Sequence, residues 1–176
     1  MMKSCTAFLI IDVQVGSFEE KKVLYNRTEL LRVIQLLISK ARSASAPIFY
    51  MKFNGKSGSL LSQGTPGWEI HKSIAPATGD VVLEKNHPDS FHKTSLQQEL
   101  EMRNIKRVVI AGIQSEICID ATYRRAYSLG YDVTLVKNGH STYNSTILSA
   151  SQIIKHHNEI IGQWFACVKN SESIEF

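Results

Sequence analysis

Short apolar runs alternate along this chain with segments of helical period, and that alternation constrains the fold more than any other feature. Runs of strand length lie at Thr6–Ile11, Ile48–Phe53, 81–84, 107–111, 131–136 and 163–168. Between them, residues 27–45 carry Leu30, Ile34, Leu37 and Ala41 at helical spacing, with Leu31 and Ile38 widening the stripe. Asn26 stands where an N-cap belongs, and Glu29 follows it by three residues as in a capping box. Further helices are predicted over 95–103, 116–129 (closed by Gly130 at the C′ position) and 145–157. Six strands interleaved with helices predict an α/β fold with a mostly parallel sheet covered on both faces. The first run is apolar at every position, as expected of a strand buried on both sides.

One stretch breaks the alternation. Residues 54–79 contain Gly55, Gly58, Gly64, Gly67 and Gly79 together with Pro66 and Pro76. This reads as a long loop with at most a short helical turn, of the kind that forms lids and binding loops. No repeat, low-complexity segment or linker interrupts the chain, so a single domain over 1–176 is expected.

Composition narrows the functional classes. With 43% hydrophobic and 20% charged residues among 176, wholesale disorder and fibrous repeats are excluded. Twenty Lys and Arg against 16 Asp and Glu give +4 without a basic block, which points away from a nucleic-acid partner. No apolar run approaches the roughly 18 residues of a membrane span. Lys3 precedes the run at 7–11 as in a leader peptide, but Asp12 ends that run too early and no small-residue cleavage site follows. A cytoplasmic protein with no membrane partner is the expectation. Three cysteines (Cys5, Cys118 and Cys167) are too few and odd in number for a disulfide framework, which leaves room for one working thiol.

Ligands of open parallel sheets bind at the carboxyl ends of the strands, so reactive residues that end strands carry the functional signal. Asp12 follows the first strand, Lys85 ends the third, and Cys118 lies just past the fourth near a helix start. A helix N-terminus favours a thiolate, the working form of a cysteine nucleophile. The loop 112–118 offers free backbone N–H groups for an oxyanion hole. Asp12 is placed as a general base, and Lys85 as the cation that stabilises Asp12 and Cys118. Bland readings stand beside these: a buried apolar cysteine, a strand-end salt bridge, an exposed lysine. Cys5 and Cys167 lack such a setting. His87, Asp89 and His92 are metal-ligand types, but no further ligand has matching spacing, so neither metal nor cofactor is expected. His156 and His157 end a helix, where cationic side chains suit the dipole, and their rings point to different faces. Phe18 and Trp68 fall in loops near the expected mouth, where aromatic residues suit a small flat substrate or pack into the core. His140 follows the fifth strand and either lines the pocket or braces a loop. No Gly-x-Gly-x-x-Gly follows the first strand and no P-loop is present, which weakens a nucleotide-binding alternative.

Asp12-Val13-Gln14 after an apolar strand, Glu84-Lys85 with Ser90-Phe91 and Thr94, and Gly112-Ile113-Gln114-Ser115-Glu116-Ile117-Cys118 occur in this order. Together with Pro66-Gly67-Trp68-Glu69-Ile70-His71, the pattern resembles the isochorismatase-like cysteine hydrolases over about residues 6–168. The resemblance implies a doubly wound, three-layer sandwich with strand order 3-2-1-4-5-6. It implies a triad in which Cys118 is nucleophile, Asp12 takes its proton, and Lys85 orients Asp12. It implies a cis peptide at Ile113–Gln114 and an oxyanion hole from the N–H groups of Gln114 and Cys118. Gln14, Phe18, Trp68 and His140 are the expected pocket residues. The implied reaction is hydrolysis of a small-molecule C–N bond (amide, ureido or carbamoyl) through a thioester, by a homo-oligomer. A vinyl-ether hydrolase or a catalytically silent binding protein of the same family are the alternatives. Nicotinamidases of this group carry an Asp-x-His metal motif after the second strand, where this chain reads Met51-Lys52-Phe53-Asn54-Gly55-Lys56.

Overall fold

A computed structural model describes residues 5–19 and 23–176; Lys3 lies outside them. Six strands, β1 (Thr6–Ile11), β2 (Ile48–Phe53), β3 (Val81–Lys85), β4 (Arg107–Ile113), β5 (Asp132–Ser141) and β6 (Cys167–Lys169), form one sheet of order β3-β2-β1-β4-β5-β6. Every neighbouring pair is parallel. Four helices connect them: α1 (Arg27–Ser43), α2 (Leu96–Met102), α3 (Asp120–Ser128) and α4 (Ala150–Trp164).

The central strands sort their side chains by period two. Phe8, Ile10, Ile48, Tyr50 and Val109 face the α1 layer, where Val33, Ile34, Leu37 and Ala41 meet them. Ala7, Leu9, Ile11, Phe49, Met51 and Ile110 face the opposite layer of Leu96, Leu100, Tyr123, Ala126 and Ile161. All six residues of β1 are buried, so the continuous apolar run finds its place in the middle of the sheet. The register brings Gly112 of β4 opposite Ile11 of β1 at φ 132°. A Cβ there would lie 2.1 Å from the Ile11 carbonyl oxygen, so the two strands close together only over glycine. The switch in strand order therefore falls between the ends of β1 and β4, where a doubly wound sheet opens its crevice.

Several boundaries differ from the sequence reading. Asn26 takes a left-handed conformation (φ 46°) and makes no side-chain cap; Glu29 instead pairs with Arg32 at 2.6 Å. The helix predicted over 145–157 runs Ala150–Trp164, because Ser149 and Gln152 form a reciprocal capping box. Ser145 spends its hydroxyl on the N–H groups of Ile147 and Leu148, making a turn before that cap. Gln163 and Trp164 thus belong to α4, and β6 shrinks to three residues at the sheet edge. The 54–79 loop holds two short 3₁₀ turns, Pro66–Trp68 and Lys72–Ile74. It is fastened to the chain after β1 by Val15 N–H to Glu69 O (2.8 Å) and His71 N–H to Val13 O (3.0 Å).

Candidate active site

β1 ends where Asp12 turns the backbone into the left-handed region (φ 55°), a conformation that aspartate tolerates better than most residues. The Asp12 N–H still bonds Met51 O at 3.0 Å, so the turn is anchored to the sheet. Asp12 is 4% exposed. Lys85, the last residue of β3, is 1% exposed and reaches under Asp12. Its Nζ lies 2.8 Å from Asp12 Oδ2 and donates to the carbonyls of His87 (3.1 Å) and Pro88 (3.3 Å). The Asp12 carboxyl thus lies against both the Lys85 ammonium and the Cys118 thiol, and no backbone N–H among the described residues donates to it. Burial pushes the Asp12 pKa up, and the charge of Lys85 opposes that rise.

Cys118 does not sit at the start of a regular helix. The strand leaves β4 through the cis peptide Ile113–Gln114 into one π-helical turn, Ser115–Ile119, and only then into α3. The wide turn is closed by Ile119 N–H to Gln114 O at 3.1 Å. Such turns inside helices recur at functional sites. Burial, and then the charge of Asp12, push the Cys118 thiol up to about 12, against the pull of Lys85. Desolvation thus disfavours the charged form of the thiol. That corrects the sequence-level expectation of a thiolate lowered by a helix dipole: desolvation wins.

Asp12 and Cys118 share one chamber of about 220 Å³ with Ser17, Phe53, Leu61, Pro88, Ile113, Gln114 and Ile117. Through the common walls Ser17, Phe53, Leu61 and Gln114 it continues into an outer chamber of about 520 Å³ bounded by Glu19, Lys56, Leu60 and Tyr143. Among the described residues, no backbone oxygen accepts the Gln114 N–H. Apart from Asp12 and Cys118 the inner wall is mostly apolar, which strengthens electrostatic contacts within it.

The four expected pocket residues lie elsewhere. Gln14 is fully buried and works as a strut: its amide donates to Phe53 O (3.1 Å) and Trp68 O (2.8 Å) and accepts from Phe53 N–H (2.9 Å). Trp68 donates to Asn54 Oδ1 at 2.8 Å, and the Lys52 ammonium sits 3.1 Å from its ring centroid. Lys52 also pairs with Glu69 at 3.2 Å, tying the long loop to β2. Phe18 packs on His71, with ring centroids 4.7 Å apart. His140 is buried beside Ser115 and borders a separate cavity of about 130 Å³. Sequence reasoning missed the actual walls Phe53, Leu61 and Ile117. Phe53 ends β2 and was open to the same strand-end rule that found Lys85. Leu61 is signalled by the apolar pair Leu60-Leu61 inside an otherwise Gly- and Ser-rich loop.

His87 and His92 meet edge to face at 4.5 Å, and Asp89 accepts from Phe91 N–H at 2.8 Å rather than joining them. His157 lies 3.3 Å from Asp120. Among the described residues no three His, Cys, Asp or Glu side chains gather as metal ligands. Cys5 and Cys167 are exposed and unpaired. Among the described residues no helix is long and apolar enough to cross a membrane.

With the geometry in place, comparison with known proteins is informative. The Isochorismatase domain profile matches residues 6–153. This chain belongs to the isochorismatase family. It is 30% identical over 138 residues to streptothricin hydrolase of Streptomyces noursei, covering 78% of this chain and 50% of that protein. The chain thus spans about half the length of that relative. A secreted isochorismatase effector of Verticillium dahliae is 31% identical over 171 residues, covering 96% of this chain and 90% of the fungal protein. The crystal structure of an isochorismatase family protein superposes with a TM-score of 0.89 at 29% identity, covering 94% and 98% of the two chains. The shared architecture matches the order β3-β2-β1-β4-β5-β6 described above.

Proposed function

We propose that the protein is a cysteine-dependent hydrolase of a small-molecule C–N bond, of amide, ureido or carbamoyl type, acting through a thioester at Cys118. The observation that carries this reading is the buried Asp12–Lys85 ion pair (2.8 Å), whose carboxylate lines one chamber with the Cys118 thiol. A buried ion pair is a poor way to stabilise a fold, since apolar replacements of similar volume do as well or better. Placed against a thiol of pKa about 12, it supplies what that thiol lacks, a base within the same desolvated space.

The steps follow. Cys118 Sγ attacks the carbonyl carbon while Asp12 takes the thiol proton. Lys85 holds the carboxylate in place and moderates its charge. The backbone N–H groups of Gln114 and Cys118 receive the oxyanion of the tetrahedral intermediate. Asp12 returns its proton to the nitrogen as the C–N bond breaks, leaving the acyl group on Sγ. Water then gives a proton to Asp12 and attacks the thioester, and the thiol regains its proton as the acid leaves. Relatives point the same way: a nicotinamidase of Arabidopsis thaliana is 30% identical over 159 residues, and streptothricin hydrolase also bears a hydrolase name.

The test is ammonia or amine release from a panel of small amides and ureido compounds, with wild type beside Cys118→Ala. Release that vanishes in the variant is expected. Release that persists would remove Cys118 from the reaction. A protein that alkylates at Cys118 but turns over no C–N bond would shift the reading to vinyl-ether chemistry or a silent binding member.

A further inference from the structure

The most complete buried polar network outside the triad lies behind the nucleophile loop, and it begins with an irregularity in β5. Ile110 pairs with Leu135, yet Gly112 pairs with His140. One residue of β4 is thus matched by four of β5. At this bulge a Cβ on Gly139 would lie 2.7 Å from Val136 Cγ1, so the chain turns there over glycine. The bulge carries His140 beside Gly112, level with the loop that follows β4.

His140 is 4% exposed and Ser115 fully buried. Nδ1 of His140 lies 2.8 Å from Ser115 Oγ, and Nε2 lies 3.1 Å from Asn158 Oδ1. Asn158 Nδ2 donates to Lys137 O at 3.3 Å, which leaves its Oδ1 facing His140 as acceptor. Nε2 therefore carries the proton, Nδ1 accepts, and the Ser115 hydroxyl donates to it. Burial lowers the His140 pKa to about 4, which keeps the ring neutral and Nδ1 an acceptor at ordinary pH. Ser115 stands directly after Gln114 and three residues before Cys118. A second tie runs beside it, from Thr142 Oγ1 to Glu116 Oε1 at 2.8 Å.

We propose that His140 is a positioning residue, acting through Ser115 to set the Gln114 and Cys118 N–H groups against the substrate oxygen. The role rests on the acyl-transfer reading above. Displacement of an oxyanion donor by about 1 Å is enough to cost a large factor in rate.

The test separates a step that needs the oxyanion donors from one that does not. Acylation by p-nitrophenyl acetate, read as the p-nitrophenolate burst, builds charge on oxygen; alkylation by iodoacetamide displaces iodide from carbon and builds none. His140→Asn keeps an acceptor at the Nδ1 position, whereas His140→Gln keeps only the Nε2 donor. His140→Gln and Ser115→Ala are expected to slow acylation about tenfold or more, with alkylation of Cys118 within threefold of wild type. His140→Asn is expected to retain most of the acylation rate. Acylation unchanged in His140→Gln and Ser115→Ala, equal losses in His140→Asn and His140→Gln, or alkylation falling in step with acylation would each overturn the role. A wild type that alkylates but gives no burst overturns the acyl-transfer reading itself, and this role with it.

Discussion

Two buried polar groups flank the loop from Gln114 to Cys118, and they differ in how completely they are paired. On one side, the Asp12 carboxyl meets the Lys85 ammonium and the Cys118 thiol but accepts from no backbone N–H among the described residues, and Cys118 carries a thiol pushed up to about 12. On the other, His140 uses both ring nitrogens, Ser115 its hydroxyl and Asn158 both ends of its amide. A satisfied network fixes geometry, and an unsatisfied one keeps electrostatic capacity in reserve for whatever enters. The first is where a reaction gains, because an incoming carbonyl or a leaving amine completes it. The second gains nothing from a ligand and serves by holding still.

The largest effect belongs to the unsatisfied side. Cys118→Ala is expected to bring C–N hydrolysis to background, and Asp12→Asn to cost about 10³-fold in kcat, the order expected of a general base. Because burial raises the Asp12 pKa, the acid limb of the wild-type rate profile should lie above the ordinary aspartate value of 3.8. A limb at or below that value would show that the charge of Lys85 offsets or outweighs desolvation. Next in size is Lys85→Met, which strands a buried carboxylate and should destabilise the fold by about 3–5 kcal/mol in urea unfolding. The double variant Asp12→Asn/Lys85→Met should recover most of that loss. Equal losses in single and double variants would mean that the lysine stem, not its charge, matters there.

The satisfied side responds to pH through stability. Burial holds the His140 pKa near 4 in the fold, while an unfolded histidine sits near 6.5. The unfolded chain binds the extra proton between those values. The contribution of His140 is therefore intact above pH 6.5 and is lost as pH falls through about 4, over a span of about 3 kcal/mol. His140→Asn should flatten the wild-type curve by that amount in this window. Parallel curves would indicate that water reaches the ring.

How much of this was legible in the sequence follows from the same contrast. Asp12, Lys85 and Cys118 could be read because the first two end apolar runs and the third lies in the loop that leaves one, and parallel topology sends all such ends to one edge. The alternation of runs gave a mostly parallel α/β sheet, and the strand order came from the resemblance alone. The pocket did not follow, because Gln14, Phe18 and Trp68 look accessible in a loop, and Gln14 becomes buried and Phe18 and Trp68 half-buried only when residues 66–71 fold back on 13–15. Asn26 failed as a cap because its backbone turns left-handed (φ 46°), away from the extended conformation an N-cap takes. The thiol's environment was misjudged for a related reason: a helix dipole is a local property, whereas burial in a chamber closed by Phe53 and Leu61 is assembled from distant segments. His140 lay between two readings in the sequence, and the bulge at 136–139 decides between them, because it carries the ring to Ser115 instead of to the chamber.

The smallest expected effect tests the outer end of the satisfied network. Asn158 is half-buried on α4 and is hydrogen-bonded to His140 and to Lys137 O. Asn158→Ala removes the acceptor of His140 Nε2–H and the donor to Lys137 O, a loss of about 1–2 kcal/mol of stability. The ring is then free to carry its proton on either nitrogen. With the proton on Nδ1, the Ser115 hydroxyl loses its acceptor, so a fraction of molecules holds the loop less firmly. Acylation by p-nitrophenyl acetate should slow by about two- to fivefold, less than in His140→Gln, and the double variant Asn158→Ala/Ser115→Ala should be no slower than Ser115→Ala alone. Additive losses in that double variant would place Asn158 outside the network and leave His140 to orient Ser115 without help from α4.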